Sequence, residues 1–158
     1  MTDIRQKLGD HIIGVAHVGF VVADLELALD DFRRLYGLNE SAIRREPPEG
    51  VETLTRFAFF QIGGQEFELI EPCSEEFRQL LLGMPSGGGG INHMAWLVKD
   101  IEGALACLAE VAIYPGHVTP DGVVNIGAKK MVYLDPDTTG GLVVELIEQI
   151  GDPAANAK

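Results

Sequence analysis

Residues 17–29 read HVGFVVADLELAL, and residues 93–105 read HMAWLVKDIEGAL. The two segments are identical at six of their thirteen positions, whereas average residue usage would give about one identity by chance. A second match, ELIE, occurs at residues 68–71 and again at residues 145–148. The first pair of segments is offset by 76 residues and the second by 77. Because two separate matches share nearly the same offset, the sequence predicts an internal duplication.

The first repeat predicts a strand, a helix and then further strands. Residues 12–22 are apolar and rich in β-branched side chains, which favours a buried strand. Asp24 is a suitable N-cap for the helix that follows, and Gly37 is a suitable stop. Later residues predict a hairpin of strands 54–62 and 65–71, with Gly63 and Gly64 as its two-residue turn.

The second repeat predicts the same series of elements. A strand at 91–98 precedes a helix capped by Asp100, and strands 129–134 and 141–148 follow. We therefore expect an α+β fold with a first module at residues 12–73 and a second at residues 90–149. Residues 74–89 would form a linker with a short helix, within one compact domain.

Composition limits the classes of function. The chain has 158 residues, of which 46% are hydrophobic and 23% charged, as in a globular domain. Its net charge of −12 argues against nucleic acid and anionic lipid as partners. The apolar stretch at residues 12–23 is too short to span a bilayer, and the N-terminus lacks the pattern of a signal peptide. We expect a cytoplasmic protein whose partner is a small-molecule substrate.

Each module places a histidine on its first strand and a glutamate on its last. His17 precedes Glu68 by 51 residues, and His93 precedes Glu145 by 52. If the modules pack as pseudo-symmetric halves, the two imidazoles and two carboxylates meet on one concave surface. Such a set of ligands suits a divalent ion of cobalt, manganese, nickel, zinc or iron. Four protein ligands would leave positions on an octahedral ion for water or a chelating substrate.

Simpler interpretations of these residues exist. A single histidine in an apolar strand is more often a hydrogen-bonded core residue than a metal ligand, and a strand glutamate is more often solvated. Internal symmetry favours the metal, because a buried charge on an apolar strand needs a partner.

The choice of glutamate is open in both modules, because Glu68 and Glu71, like Glu145 and Glu148, alternate across their strand. The glutamate of each pair that does not face inward is expected in solvent. Two other histidines are also expected outside the core: His11 in solvent at the start of the first strand, and His117 at the surface or at a pocket rim.

These features resemble the vicinal-oxygen-chelate superfamily, which includes glyoxalases, bleomycin-resistance proteins and dioxygenases. The resemblance covers residues 12–149 and rests on His17, Glu68, His93 and Glu145 in duplicated modules. Within the superfamily, three segments are similar to methylmalonyl-CoA epimerases: NHMAWLVKDI at 92–101, GAKKMVYLDP at 127–136 and FELIEP at 67–72.

The resemblance implies a curved mixed sheet of duplicated βαβββ modules around a central metal site, usually in a homodimer. It implies that Glu68 and Glu145 are the inward ligands beside the two histidines. The implied reaction removes a proton next to a thioester carbonyl while the metal stabilises the enolate. Glu145 would be one acid–base group, and Glu49 or Glu52 the other. An acyl-CoA is the implied substrate.

The sequence departs from the epimerase pattern in two places. Asn92 stands where epimerases often have a second histidine, and Asp135-Pro136-Asp137 stands where a His-Pro-Lys-like stretch is expected. Acids at that position disfavour a phosphate-rich CoA tail. The alternatives are a glyoxalase-type lyase with the same four ligands, an iron(II) extradiol-type dioxygenase, and a non-enzymatic small-molecule-binding or resistance module.

Overall fold

The computed structural model describes residues 7–83 and 89–151 of the chain. Its helices are α1 (Leu8–His11), α2 (Leu25–Tyr36), α3 (Gln79–Leu82) and α4 (Ile101–Ala109), with a 3-10 helix at Glu40–Ala42. Its strands are β1 (Ile12–Val22), β2 (Arg44–Glu46), β3 (Thr55–Ile62), β4 (Gln65–Pro72), β5 (Gly89–Val98), β6 (Val124–Ile126), β7 (Lys129–Tyr133) and β8 (Val144–Gln149). Within these described residues, no helix is both long and apolar enough to cross a membrane.

The chain forms two compact units. One unit comprises His17–Asn92, and the other groups the chain up to Ala16 with the chain from His93 onward. The unit boundaries therefore fall within β1 and β5. The predicted division into modules at 12–73 and 90–149, with a linker at 74–89 in one compact domain, stays a prediction.

The unit of residues 17–92 is a mixed four-stranded sheet covered by α2. Its strands are adjacent in the order β2-β3-β4-β1, with β1 parallel to β4 and the other pairs antiparallel. The core lies between the sheet and α2. Its buried residues are Leu25, Leu29, Ala58, Phe60 and Leu69.

The other unit repeats this arrangement with α4. Its strands are adjacent in the order β5-β8-β7-β6, with β5 parallel to β8 and the other pairs antiparallel. Leu8 of α1 and Ile12 at the start of β1 pack against its core. The buried residues of that core are Val98, Ile101, Ala104, Leu108, Val132, Leu134 and Leu146. The predicted α+β fold of duplicated βαβββ series is confirmed.

Local signals in the sequence explain most element boundaries. The Asp24 side chain accepts a hydrogen bond from the Leu27 N–H at 3.0 Å, and Asp100 caps α4 through the Gly103 N–H at the same distance. Gly63 and Gly64 have φ values of 61° and 81°, which a two-residue turn with two left-handed positions requires. The hairpin and both caps are therefore confirmed.

Three boundaries differ from the prediction by more than one residue. Strand β8 begins at Val144 rather than at residue 141, because the Gly141 N–H donates to the Pro136 carbonyl at 2.8 Å and stays within the turn. Strand β5 begins at Gly89 rather than at residue 91, so the last residue of the expected linker belongs to the strand. The short helix expected within the linker is limited to Gln79–Leu82. Residues 84–88 of the expected linker lie outside the described residues.

The expectation that His11 lies in solvent is wrong. His11 is the last residue of α1 and is 5% exposed, and its backbone carbonyl accepts a hydrogen bond from the Lys99 N–H at 3.0 Å. A Cβ atom at Gly103 of α4 would lie 2.9 Å from the His11 ring. The ring is therefore buried against α4, where a glycine leaves room for it.

Candidate metal site

The first histidine–glutamate pair lies on the parallel strands β1 and β4. The Nε2 atom of His17 lies 3.3 Å from Oε2 of Glu68, and the side chains are 5% and 10% exposed. In the strand register, Glu68 is paired with Gly19, two residues after His17. Side chains two residues apart lie on the same face of a strand. The His17 side chain therefore lies on the same face as the position that is paired with Glu68, within reach of that glutamate.

The second pair lies on β5 and β8 and has the same geometry. The Nε2 atom of His93 lies 3.3 Å from Oε2 of Glu145, and the side chains are 0% and 5% exposed. Glu145 is paired with Ala95, again two residues after the histidine. The duplication thus reproduces a buried side-chain pair as well as a series of elements.

The spacing within each pair fits two ligands of one ion. Charge-assisted N–H···O hydrogen bonds are usually about 2.7–2.9 Å long, which is shorter than the 3.3 Å found here. Two ligand atoms that each lie about 2.1 Å from a divalent ion are about 3.0 Å apart at a right angle and about 3.4 Å apart at a tetrahedral angle. Imidazole and carboxylate are also ligand types that such ions accept. The residues present therefore fit a divalent metal.

The other glutamate of each strand serves a helix. The Ile101 N–H, at the start of α4, donates to Oε2 of Glu148 at 2.8 Å. Glu71 likewise accepts a backbone hydrogen bond from Leu25, at the start of α2. Both side chains are only 18% exposed. The expectation that they lie in solvent is wrong, because each carboxylate satisfies a free N–H at a helix N-terminus.

Burial changes the acidity of Glu71. Desolvation raises the pKa of Glu71 above its ordinary value of 4.5, against the opposing effects of the Arg56 charge and the Leu25 hydrogen bond. The Arg56 guanidinium lies 3.8 Å from the Glu71 carboxylate. Glu71 thus has a structural role at the start of α2, and burial of its charged carboxylate is unfavourable in free energy.

Tyr133 contacts the histidine of the second pair, and His117 in turn contacts Tyr133. The Tyr133 hydroxyl lies 3.4 Å from Nε2 of His93, and the two rings meet edge to face at 5.3 Å between centroids. The His117 ring meets the same tyrosine at 5.3 Å. His117 is exposed, so the prediction that it lies at the surface is confirmed. Tyr133 and its contacts with the two histidines were not predicted. No local signal identifies them, because their proximity depends on the pairing of Pro115 with Leu134 outside the named strands.

The two remaining predicted acid–base residues lie on the segment between β2 and β3. Glu49 and Glu52 are both exposed. Glu49 lines a small cleft with Arg45, Pro47 and Pro48. The roles assigned to Glu49 and Glu52 stay predictions.

Comparisons with known proteins agree with this architecture. Residues 16–116 match the family model of the Glyoxalase/Bleomycin resistance protein/Dioxygenase superfamily. An ethylmalonyl-CoA/methylmalonyl-CoA epimerase of Cereibacter sphaeroides is 32% identical over 143 residues, which cover 85% of this chain and 96% of that protein.

Solved structures share the fold. Methylmalonyl-CoA epimerase from Mycobacterium tuberculosis has a TM-score of 0.74 at 21% identity, over 98% of this chain and 97% of its own. A methylmalonyl-CoA epimerase solved with methylmalonyl-CoA and NH4+ has a TM-score of 0.69 at 21% identity, over 87% of this chain and 95% of its own.

Proposed function

The chain belongs to the Glyoxalase/Bleomycin resistance protein/Dioxygenase superfamily, and on that premise we propose that it is a metal-dependent epimerase of a 2-carboxyacyl thioester. Its relatives identify it as an enzyme of the epimerase type. The metal dependence and the substrate are the proposal. The observation that carries it is the buried histidine–glutamate pair at 3.3 Å, which occurs once in each repeat.

We assign both pairs to one divalent ion. His17 and Glu68 would supply two ligands, and His93 and Glu145 the other two. The support is the duplication, which gives each repeat half of a four-ligand set, and the membership of the superfamily. When bound, the ion would supply an electrophile that stabilises negative charge on the substrate carbonyl oxygen.

The residues of the chain would move the proton. A carboxylate takes the C2 proton of the thioester, the C–H electron pair is delocalised into the carbonyl, and a second group returns a proton on the opposite face. Glu145 is our candidate for one of these groups, because it is 4% exposed and lies beside His93. Glu49 or Glu52, both accessible to solvent, is our candidate for the other.

A thioester substrate is supported by the relatives. The Cereibacter sphaeroides relative is named for ethylmalonyl-CoA and methylmalonyl-CoA, both of which are 2-carboxyacyl thioesters. The acids that replace the expected basic stretch have structural partners. Asp135 Oδ1 accepts a hydrogen bond from the Asp137 N–H at 3.0 Å, and the Asp135 N–H donates to the Tyr114 carbonyl at 2.9 Å. Asp135 therefore has a structural role in the connection between β7 and β8. This role explains why an acid stands there, and it is compatible with a CoA thioester as substrate.

The test is isotope exchange at the reacting carbon. The protein, loaded with cobalt or manganese, is incubated with methylmalonyl-CoA in D2O, and deuterium at C2 and the ratio of epimers are followed by NMR. We expect exchange and epimerisation that a chelator stops and added metal restores. Loaded protein that binds an ion but gives no exchange would overturn the function, and conversion of a glutathione hemithioacetal would favour the glyoxalase-type lyase. The homodimer and the cytoplasmic location stay predictions.

A further inference from the structure

The loop of residues 114–119 is fastened to strand β7. The Gly116 N–H donates to the Tyr133 carbonyl at 3.0 Å, and the Tyr133 N–H donates to Oγ1 of the buried Thr119 at 2.7 Å. The Asp135 N–H donates to the Tyr114 carbonyl at 2.9 Å. These hydrogen bonds on both sides of residue 117 fix the position of its backbone.

His117 has an unusual backbone conformation within this loop. Its φ of 55° lies in the left-handed region, which it shares with one other non-glycine residue in the described part of the chain, Ala112 with φ 60°. Residues other than glycine rarely adopt this backbone region, although histidine and asparagine do so more often than most. Such strain persists where the surroundings impose it, and it is concentrated at functional sites. Here it holds the imidazole against the Tyr133 ring.

The Tyr133 ring links His117 to the candidate metal site. One contact of the ring is with His117 and another is with His93, each at 5.3 Å between centroids. The pKa of His117 lies below its ordinary value of 6.5. The larger cause is partial desolvation of the ring, and the smaller cause is electrostatic repulsion from His93. In either protonation state the imidazole of His117 carries at least one N–H donor.

The exposure of His117 makes this donor relevant. The side chain is accessible to solvent, although its ring contacts Tyr133. An imidazole N–H at this position can therefore donate to a carboxylate that is bound beside the Tyr133 ring.

We propose that His117 is a specificity-determining residue, which donates a hydrogen bond to the free carboxylate of a 2-carboxyacyl thioester. The inference rests on the proposed function. It distinguishes substrates that carry a second carboxylate from simple acyl thioesters. It assigns to His117 no part in the proton transfer at C2.

The test compares two ligands in variants that keep the backbone. His117→Gly removes the imidazole at a φ that glycine adopts without strain, and His117→Asn keeps a donor on a residue that tolerates this region. Dissociation constants are measured for methylmalonyl-CoA and for propionyl-CoA, which lacks the free carboxylate. Ala112→Gly is the control, since it makes the same backbone change without removing a donor. Melting temperatures show that each variant is folded.

We expect His117→Gly to weaken methylmalonyl-CoA binding by about tenfold or more, as loss of a hydrogen bond to a charged group does. Propionyl-CoA binding should be unchanged, and His117→Asn should recover part of the loss. Equal effects on both ligands, or no effect on either, would overturn the assignment of His117. Wild-type protein that neither binds methylmalonyl-CoA nor exchanges its C2 proton would instead overturn the proposed function.

Discussion

The Nε2 atom of His93 lies 3.3 Å from Oε2 of Glu145, with both side chains almost fully buried. The first repeat places His17 and Glu68 at the same distance and with the same strand register. The 3.3 Å between nitrogen and oxygen fits two ligand atoms of one ion, and it is longer than a usual charge-assisted hydrogen bond. Each repeat therefore carries an equivalent buried pair whose residue types and spacing fit a divalent ion.

The two glutamates of strand β8 should separate catalysis from stability. Glu145→Gln should lower the epimerisation rate by about a hundredfold or more, because it removes a carboxylate from the proposed proton transfer. Glu148→Gln should retain activity and lower the free energy of unfolding by about 1 kcal/mol, because the amide is a weaker partner for the Ile101 N–H. Epimerisation rates and urea unfolding of both variants make the comparison. Equal loss of activity in the two variants would contradict the separate roles.

Glu71 should make stability fall as the pH rises. Its pKa in the folded protein is raised above 4.5 by burial, so the folded state binds the proton more tightly than the unfolded state does. The contribution of Glu71 is therefore most favourable below about pH 4.5 and decreases as the pH rises through the folded pKa. Relative to Glu71→Gln, the wild type should lose stability over this window. A difference in unfolding free energy that stays constant from acid to neutral pH would contradict the prediction.

Arg45 should stabilise the edge strand β2 beyond what an isolated surface ion pair does. Its guanidinium contacts both carboxylate oxygens of Glu26, at 2.8 and 3.0 Å, and Oε1 of Glu40 at 2.6 Å. We expect Arg45→Met to lower the free energy of unfolding by about 1 kcal/mol at low salt and by less at high salt. Arg34→Met is the control, because Arg34 is 77% exposed and pairs with Asp31 on its own helix. Thermal unfolding at two salt concentrations measures both, and equal shifts would contradict the prediction.

The core of the second repeat should be sensitive at Leu146. This side chain is fully buried, whereas Leu142, four residues earlier, is 65% exposed. Leu146→Ala should cost about 2–5 kcal/mol, because it removes buried methyl groups and leaves a cavity. Leu142→Ala should change stability by less than about 0.5 kcal/mol. Chemical denaturation of the two variants tests the assignment of the core, and similar losses would show that it is wrong.

Local sequence was sufficient for much of the fold. The repeat predicted a strand, a helix and further strands in each half, and the resemblance to a known superfamily implied the full βαβββ series. The caps Asp24 and Asp100 act through their own helices. The hairpin at Gly63 and Gly64 is equally local. These features depend on neighbouring residues, so a single sequence carries enough information to predict them.

Other features depend on contacts between distant segments. His11 is buried because Gly103 leaves room for its ring, and Glu148 is engaged because the first N–H of α4 lies beside it. His117 reaches Tyr133 through a loop whose conformation no short motif specifies. Alternation along a strand could not distinguish Glu145 from Glu148, and the packed structure places them in different surroundings.

The most direct test of the account is the number of divalent ions bound per chain. Cobalt content after dialysis is measured for the wild type, for His17→Ala, for His93→Ala and for His117→Asn as a control outside the ligand set. We predict one ion per wild-type chain, loss of that ion in both alanine variants, and retention in His117→Asn. Two ions per wild-type chain, each lost only with its own histidine, or no ion in any variant would contradict a single site built from both repeats.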